Sequence, residues 1–579
     1  MRVRERDGYR WVPTAAGVLT FLIGASDVVG VLFRRLGRHL EELHEVVPGL
    51  MPETTVAAVV LVGVLLMMLS HGLAKRKRRA WRAAVVLLAA SALLRLGRGV
   101  VAYLAQGQDT GVTEFRDTVI TLLLLVAIVV FRREFYAAGD PRTRWRALRT
   151  FLLLVVFDML LGMLWLFLGR SRVVGDLSFG AAVEHVFLGL MGIPGPVRFA
   201  FDRAGDVSYF ILVTLGALTA VVSAYLLLRP AEPAPRLAVA DEERVRDLLE
   251  RYGDGDSLGY FALRRDKSVL WSPSGKAGVM YRVVSGVMLA SGDPLGDPEA
   301  WPGAMRQFVD QAARHAWVPA VLACGERAGE VWVRESGLAA IELGDEAVVD
   351  VAEFDLGGRA MRGVRQAVGR IERRGYAAEV RRVRDLDAGQ RAQLAAEAAR
   401  WRHSAAERGF SMALGRFVAD EDPDCVVVTA RQDGELRGFL QLAPWGKDGL
   451  SLDVMRRDTA HAENGLNEFL ITQLLARAAE LGVRRVSLNF AVFRSVFARG
   501  ERLGAGPVIR LVRGVLLMLS RWFQIESLYR FNAKFRPDWE PRFLLYPAGR
   551  TLPRILLAAL EAEAFIVWPG RFLRWLRPF

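Results

Sequence analysis

The chain has 579 residues, more than one hydrophobic core usually serves, so several folded units are expected. Hydrophobic residues make up 52% and the mean hydropathy is +0.22, which excludes a disordered protein, while 24% charged residues is unusual for a pure membrane channel. Only two cysteines occur, which excludes a disulfide scaffold, and the net charge of +14 favours polyanionic partners such as nucleic acid or acidic lipid. The composition predicts a bipartite protein, partly membrane-embedded and partly water-exposed.

The first 232 residues contain six apolar runs, most of them long enough to cross roughly 30 Å of hydrocarbon. They lie near residues 12–33, 55–73, 82–105, 118–131, 151–168 and 208–228. Lysine and arginine are concentrated before the first run and after the second and fourth runs, so both ends of this region are expected on the cytoplasmic side. Residues 1–232 are therefore predicted to form a polytopic helical membrane domain with about six spans.

Four ionisable residues lie inside these runs: Asp27, Arg95, Arg98 and Asp158. Charges at membrane depth are costly and usually face a partner or a polar cavity. They therefore indicate either a path for a charged lipid headgroup or ion pairs between helices, for example between Asp158 and Arg95.

A proline-containing linker over 233–245 leads into sequence in which strand and helix patterns alternate. Residues 246–385 are predicted as a first unit, with strands at 268–271, 279–290, 318–324 and 347–351 and helices at 301–316 and 358–375. Residues 386–579 are predicted as a second unit, with helices at 386–408 and 464–481 and strands at 425–431, 436–443, 449–455 and 485–491. Two successive mixed α/β units of about 150 residues fit this pattern better than one large sheet.

The predicted helix over 358–375 has a strongly basic face. Its arginines include Arg359, Arg362, Arg365 and Arg370, whereas Met361, Val364, Val368 and Ile371 form the opposite, apolar face. Such a face suits the phosphates of RNA or of anionic lipid. A solvated helix surface remains an alternative, although few acidic residues are near enough in sequence to neutralise these charges.

The densest polar motif is DGLSLDVMRRD, over residues 448–458. Its strand ends with Asp453, Arg456 and Arg457, an arrangement that offers an acid to a cationic group and guanidinium groups to phosphate. Later polar residues are Glu463 and Glu468 at a helix start, Asn489 and Arg494 among apolar residues, and Lys534 and Arg536 among aromatics. Each of these residues could instead have a structural role.

Common catalytic and cofactor signatures are missing from the sequence. No Walker-type loop, G-x-S-x-G or H-E-x-x-H pattern occurs, and neither cysteine has a metal-ligand companion nearby. An acetyl-coenzyme A loop aligns best with residues 501–506, where Glu501 stands in place of the glutamine or arginine that such loops need. We therefore expect neither a metal nor a cofactor.

Four ordered motifs resemble the C-terminal domain of the lysylphosphatidylglycerol synthases, also called multiple peptide resistance factors. They are DGLSLDVMRRD, NGLNEFLI, SLNFAVFRSVF and SLYRFNAKFRPDWEPRF, within a resemblance over roughly 240–550 that is closest to the actinobacterial branch. The resemblance implies a tandem acetyltransferase-like α/β domain, cytoplasmic and attached to a bacterial plasma membrane. It also implies transfer of an aminoacyl group, usually lysyl, from tRNA to phosphatidylglycerol, which lowers the negative charge of the membrane and favours resistance to cationic antimicrobial peptides. No fused lysyl-tRNA synthetase is expected here, so a separate synthetase would charge the tRNA.

The motif match assigns catalytic roles to four residues in the second unit. Asp453 and Glu468 are expected to bind ammonium groups of the aminoacyl moiety, and Arg456 and Lys534 to bind phosphate or the developing oxyanion. Arg457, Glu463, Asn489, Arg494 and Arg536 are expected to contact substrate, and the arginines of 358–375 to bind tRNA. Three alternatives stay open: an alanyl or other aminoacyl donor, a peptidoglycan-type aminoacyl transferase, and a lipid flippase with a non-catalytic domain.

Overall fold

The computed structural model describes residues 11–41, 53–106, 108–137, 141–228, 232–402, 409–492 and 525–567. The chain divides into two compact units, residues 1–231 with the short segment 313–316, and residues 232–312 with 317–579. The N-terminal unit is helical where it is described. Its helices are α1 (Val12–Glu41), α2 (Glu53–Ala74), α3 (Arg78–Gln106), α4 (Gln108–Val130), α5 (Pro141–Leu168), α6 (Phe179–Leu190) and α7 (Asp202–Leu228).

Three stretches of the described N-terminal helices are long and apolar enough to cross a membrane: Val12–Val29, Ala147–Leu168 and Arg203–Leu227. Shorter apolar helices cover Val60–Ala74, Thr118–Val130 and Phe179–Leu190. Each predicted run coincides with one of the long helices α1–α5 and α7, whereas α6 was not expected. The count of six spans stays a prediction.

Close packing and one buried acid mark the N-terminal unit. A Cβ atom at Gly24 of α1 would lie 2.4 Å from the carbonyl oxygen of Gly63 in α2, so small residues let these helices approach closely. Asp158 of α5 is buried and accepts a 2.7 Å hydrogen bond from the hydroxyl of Thr219 in α7. The predicted partner of Asp158 was Arg95, whose side chain lies outside the described residues, as does that of Arg98. Asp27 is only partly buried in α1.

The C-terminal unit is built on one sheet of twelve strands. The strands are β1 (Ser268–Trp271), β2 (Ala277–Val284), β3 (Val287–Ser291), β4 (Leu295–Gly296), β5 (Val318–Cys324), β6 (Ala339–Asp350), β7 (Tyr376–Arg382), β8 (Val426–Gln432), β9 (Glu435–Trp445), β10 (Gly449–Arg457), β11 (Arg485–Val492) and β12 (Asp538–Tyr546). The helices are α8 (Val239–Tyr252), α9 (Trp301–His315), α10 (Glu326–Ser336), α11 (Arg362–Arg373), α12 (Ala388–Arg400), α13 (Leu466–Ala478), α14 (Ile525–Asn532) and α15 (Leu552–Ala562).

The strand order is β1-β2-β3-β5-β12-β6-β11-β10-β9-β8-β7, with β4 paired to β2. If β1–β6 are taken as the first half and β7–β12 as the second, the last strand of each half completes the sheet of the other half: β6 pairs with β11, and β12 pairs with β5. The two exchanged strands also pair with each other in antiparallel register, from Asp538 opposite Val348 to Tyr546 opposite Ala339. The sequence favoured two successive units over one large sheet, whereas the sheet is continuous, because this exchange joins both halves through hydrogen bonds. The division into two units stays a prediction. The boundaries predicted at residues 232, 245 and 385 stay predictions.

Alternate residues of the central strands face two separate cores. Val427 of β8 and Phe439 of β9 belong to a core that also receives α8, α12 and α15. Val428 and Leu440, from the same two strands, belong to a second core with α11 and α13. Helices thus cover both faces of the sheet in this half, and the strand ends are the places where polar groups can gather.

Candidate functional site

The sheet opens between its two central parallel strands, β10 and β11. Their register runs from Gly449 opposite Arg485 to Ser451 opposite Ser487 and ends there, while β10 continues alongside β9 and β11 alongside β6. The pairing irregularities also fall at this point, around Asp453 in β10 and Asn489 in β11. Ligands commonly bind at the carboxyl ends of parallel strands, and bulges there redirect side chains. This opening is the candidate active site.

Asp453 lies at the bulge, with both carboxylate oxygens hydrogen-bonded. Oδ1 accepts a 2.8 Å bond from the backbone N–H of Leu414, and Oδ2 accepts a 2.6 Å bond from Nε2 of Gln441. Gln441 is buried in β9, and it also donates to the Arg416 carbonyl and accepts from the Val418 N–H. The carboxylate is therefore oriented by the protein, through one backbone donor and one side-chain donor.

Asn489 bridges the opening from the other strand. Its backbone is left-handed, with φ of 68°, and its N–H donates to the hydroxyl of Ser487 at 3.1 Å. Its side-chain Nδ2 donates to the carbonyl of Leu452, and lies 3.5 Å from the carbonyl of Met412. Its Oδ1 is a buried acceptor to which no described residue donates. A buried acceptor without a donor costs free energy, so a ligand donor at this position would be stabilised.

A buried ionic network underlies Asn489. Glu346 of β6 accepts hydrogen bonds from the hydroxyls of Ser487 and Ser257 and from the guanidinium of Arg542 in β12. Arg542 also donates to Asp256 at 2.8 Å. Burial alone would lower the pKa of Arg542, but Glu346 and Asp256 hold it well above its ordinary value. The exchanged strands β6 and β12 therefore contribute Glu346 and Arg542. Glu346 positions the Ser487 hydroxyl, which in turn accepts from the backbone N–H of Asn489.

Arg456 is bound to a neighbouring helix rather than pointing freely into the opening. Its Nη1 donates to the backbone carbonyl of Ala398 in the last turn of α12, where a cation complements the helix dipole. Arg457, next along β10, makes no side-chain hydrogen bond or ion pair within the described part of the chain. Of the two predicted guanidinium groups, Arg457 has the less constrained side chain.

Lys534 and Glu468 form an ion pair, with Nζ 2.8 Å from Oε1. Glu468 is in the first turn of α13, and Lys534 follows α14. The exposed fractions are 47% for the Lys534 side chain and 13% for that of Glu468, so the amine reaches solvent while the acid is shielded. The sequence assigned separate roles to Glu468 and Lys534, whereas the structure joins the two side chains in one ion pair.

The basic helix α11 has the two faces predicted from sequence. Val364, Ala367, Val368 and Ile371 are buried, and its arginines are exposed. Arg370 donates to the carbonyl of Asn464, and Arg365 to those of Leu356 and Gly358. Arg359 and Arg362 have no such side-chain bond among the residues described. The helix is shorter than predicted, and Arg359 lies in the turn before it.

Of the remaining predicted residues, the structure describes Glu463 and Arg536 but not Arg494. Glu463, just before α13, pairs with Arg374 at 3.2 Å, so it has a cationic partner already. Arg536 is exposed and left-handed, with φ of 52°, after Lys534. Arg494 lies outside the described residues. Within those residues no group of three or more histidine, cysteine or acidic side chains could hold a metal ion.

Sequence reasoning missed Gln441, Ser487, Glu346 and Arg542 as residues that build the site. Gln441 could have been recognised in the sequence, because it is a polar amide within the apolar run of β9. Glu346 also stands directly before the apolar end of β6. The partners of Glu346 could not be read from spacing, because its contacts with Ser487 and Arg542 join residues 141 and 196 positions apart in sequence.

Two family comparisons cover most of the chain. The family described as "Phosphatidylglycerol lysyltransferase, C-terminal" matches residues 246–546, and that described as "Transmembrane region of lysyl-tRNA synthetase" matches residues 8–229. The chain belongs to the phosphatidylglycerol lysyltransferase family. This confirms the resemblance expected from the four motifs and the arrangement of an N-terminal transmembrane region followed by a C-terminal α/β domain.

Relatives of this lysyltransferase-family chain include larger proteins. Two named "Lysylphosphatidylglycerol biosynthesis bifunctional protein LysX", from Mycobacterium avium (strain 104) and Nocardia farcinica (strain IFM 10152), are 38% and 41% identical over 98% and 90% of this chain. The chain covers 48% and 45% of them, so it spans about half the length of the curated relatives it matches. The solved structure of L-PGS from Bacillus licheniformis aligns with a TM-score of 0.50 and 22% identity over 58% of this chain and 99% of that one, which shows a shared fold.

Proposed function

We propose that this chain transfers an aminoacyl group, and in particular the lysyl group, from aminoacyl-tRNA to a glycerol hydroxyl of phosphatidylglycerol. Membership in the phosphatidylglycerol lysyltransferase family supports this proposal, as do the names of its relatives. The observation that carries it is the opening between β10 and β11, where one strand holds an oriented carboxylate and the other a buried acceptor to which no described residue donates. An aminoacyl ester and a glycerol headgroup both supply N–H or O–H donors for such acceptors.

In the reaction, the glycerol hydroxyl oxygen attacks the aminoacyl carbonyl carbon and the ester bond to the terminal ribose of the tRNA breaks. The proton lost by the glycerol hydroxyl ends on the released ribose hydroxyl. The substrate's own α-amino group carries it after releasing its ammonium proton to solvent, because only the neutral amine has a lone pair to accept a proton. The ester is already activated, so correct positioning of the two substrates can supply much of the rate. The protein's task is to bind both groups and to stabilise the negative charge that develops on the carbonyl oxygen.

Residue roles follow from the contacts around the opening. Asp453 binds the α-amino group in its ammonium form, and Asn489 Oδ1 accepts from the same group or from the attacking hydroxyl. Arg457 and the Lys534–Glu468 pair lie where a phosphate could bind, with Lys534 exchanging part of its contact with Glu468 for a phosphate oxygen. Arg456 holds α12 against the end of β10. Arg536, and Arg494 outside the described residues, are secondary phosphate contacts.

The proposed partners are aminoacyl-tRNA, a separate synthetase that charges it, and phosphatidylglycerol in the membrane. Exposed arginines on and before α11, including Arg359, Arg362, Arg365 and Arg370, offer a cationic surface to the tRNA backbone. We place the C-terminal unit on the cytoplasmic side of a bacterial plasma membrane, because lysine and arginine are concentrated in the loops expected on that side. The product would reduce the negative charge of the membrane surface and favour resistance to cationic peptides.

The test is an assay of the full chain in membranes supplied with lysyl-tRNA and phosphatidylglycerol, read by mass spectrometry of extracted lipids. We expect lysyl-phosphatidylglycerol from the wild type and a loss of at least about 100-fold in Asp453→Ala, because the acyl donor loses an orienting carboxylate. Asp448→Ala is the matched control, since Asp448 is in the same motif but pairs at the surface with Arg485. Absence of aminoacyl-lipid with the wild type, or equal output from Asp453→Ala, would overturn the proposal.

A further inference from the structure

A short loop over residues 409–415 contacts both Asp453 and Asn489, the two site residues of β10 and β11. Its Leu414 N–H donates to Asp453 at 2.8 Å, and its Met412 carbonyl lies 3.5 Å from Asn489 Nδ2. Glycines with positive φ mark its two ends, Gly409 at 97° and Gly415 at 75°. A Cβ atom at Gly409 would approach Ala413 Cβ to 2.6 Å, so the turn requires glycine there. The 409–415 loop therefore has a defined shape and touches the site.

The opposite side of this loop is held by a buried carboxylate from the C-terminal end of the described chain. Glu563, directly after α15, accepts hydrogen bonds from the backbone N–H of Phe410 at 2.6 Å, from that of Ser411 at 3.0 Å and from the Ser411 hydroxyl at 2.5 Å. The exposed fraction of Glu563 is 7%, and Phe410 and Ser411 are fully buried. Two successive N–H groups and a hydroxyl thus surround one carboxylate. The conformation of the loop and the position of the carboxylate therefore depend on each other.

Two cationic side chains complete the setting of the loop. Arg264 Nη1 donates to the carbonyls of Gly409 at 2.7 Å and Ala413 at 3.2 Å. Lys267 is fully buried, with its Nζ 5.0 Å from the centre of the Phe410 ring and hydrogen-bonded to the Phe261 carbonyl and the Ser291 hydroxyl. Burial raises the pKa of Glu563, an effect that the Ser411 and Phe410 hydrogen bonds and Lys267 oppose.

We propose that Glu563 is a positioning residue for acyl transfer, because it fixes the 409–415 loop that orients the carboxylate of Asp453. Glu563 itself touches no reacting group. Its influence passes through the Phe410 and Ser411 amides, along the short loop, to the Leu414 N–H on Asp453. The expected effect on the rate of acyl transfer rests on the proposed function. The expected effect on the conformation of the loop rests on the hydrogen bonds alone.

The kinetic test compares Glu563→Gln with Glu561→Gln in the full chain reconstituted with phosphatidylglycerol and lysyl-tRNA. Glu561 is the matched control, because it lies two residues earlier and accepts instead from Ser285 in the β2–β3 turn. We expect kcat of Glu563→Gln to fall about 10- to 100-fold while the KM for phosphatidylglycerol stays near wild type, since misplacement of a reacting group lowers the rate of the chemical step. Glu563→Asp keeps the charge and should recover part of kcat, and Ser411→Ala, a milder change, should lower kcat in the same direction.

The structural test is hydrogen–deuterium exchange of the amides of Phe410, Ser411 and Leu414 in the same variants. We expect faster exchange at all three in Glu563→Gln and Ser411→Ala, and wild-type exchange there in Glu561→Gln. Unchanged exchange in Ser411→Ala and Glu563→Gln would overturn the positioning role, and so would equal kcat in Glu563→Gln and Glu561→Gln. If the wild type transfers no aminoacyl group, the proposed function fails, while the exchange result still decides whether Glu563 holds the loop.

Discussion

Asn489 combines two features that rarely occur together at one residue. Its left-handed backbone is tolerated by asparagine better than by most residues, and its Oδ1 is buried without a donor among the residues described. Strain and an unmatched acceptor both destabilise the folded protein, and such costs are concentrated at sites that bind ligands. The residue is therefore better explained by what it binds than by what it adds to stability.

Two substitutions at this position separate binding from backbone strain. Asn489→Gly removes the side chain but keeps the freedom to adopt positive φ, whereas Asn489→Ala also places a Cβ in a strained conformation. We expect aminoacyl transfer to fall about 10-fold or more in both variants, because a charge-assisted contact to substrate is lost. Only Asn489→Ala should also lose stability, by about 1–2 kcal/mol. Steady-state kinetics and thermal unfolding of the full chain would check this, and wild-type activity in Asn489→Gly would contradict it.

At the scale of single elements, α11 and the turns beside it carry two kinds of arginine. Some make contacts within the fold, and others are available to a partner. Arg365, Arg370 and Arg374 bind carbonyl oxygens or Glu463, while Arg359 and Arg362 have no side-chain hydrogen bond in the described part of the chain. Surface arginines of the second kind add little to stability, so their substitution should affect the binding of a polyanion alone.

The double variant Arg359→Glu with Arg362→Glu should raise the KM for aminoacyl-tRNA about 10-fold or more and leave the KM for phosphatidylglycerol unchanged. Its KM should also depend less steeply on salt, because fewer counterions are released on binding. Measurement of both KM values between low and physiological salt tests this. Arg550→Glu, at another exposed position after β12, is the control for a change of charge alone. Equal KM values in the double variant and the control would contradict the tRNA surface.

The local elements were largely predictable, and their partners were not. β1 and β5 have the predicted bounds, because runs of apolar and β-branched residues between turns specify strands locally. The single strand predicted over 279–290 is a hairpin, since Ser285 and Gly286 both take positive φ and reverse the chain. β12 was not predicted as a strand, and no local pattern could show that it inserts between β5 and β6. Asp453 and Asn489 were named from motifs, but the 409–415 loop that joins them to Glu563 depends on tertiary contacts.

At the scale of the whole C-terminal unit, one buried arginine joins both halves. Arg542 of β12 forms ion pairs with Glu346 of β6 and with Asp256 of the first half, and all three side chains are buried. Removal of one partner from a buried ionic network leaves uncompensated charge and costs about 3–5 kcal/mol. Because the strands are exchanged, this cost should be felt on both sides of the sheet at once.

We therefore expect Arg542→Met to lower the free energy of unfolding by about 3–5 kcal/mol. Hydrogen–deuterium exchange of the full chain should show protection lost together in β2–β5 and in β8–β11. The exposed Arg536→Met, a few residues earlier, should leave both stability and exchange near wild type. Loss of protection confined to β12 would contradict cooperation between the halves.

The exchanged strands also constrain the order in which the protein can be made. β5 and β6 leave the ribosome roughly two hundred residues before β12, the strand that lies between them, which corresponds to about 10–40 s of translation. Until then the space between these strands is open or is filled by another strand, and unpaired strand edges favour aggregation. Completion of the sheet, and with it the pairing of Arg542 with the Glu346 carboxylate that holds Ser487, thus waits until β12 has been synthesised. A ribosome stalled before residue 538 would carry a nascent chain whose active site cannot yet form.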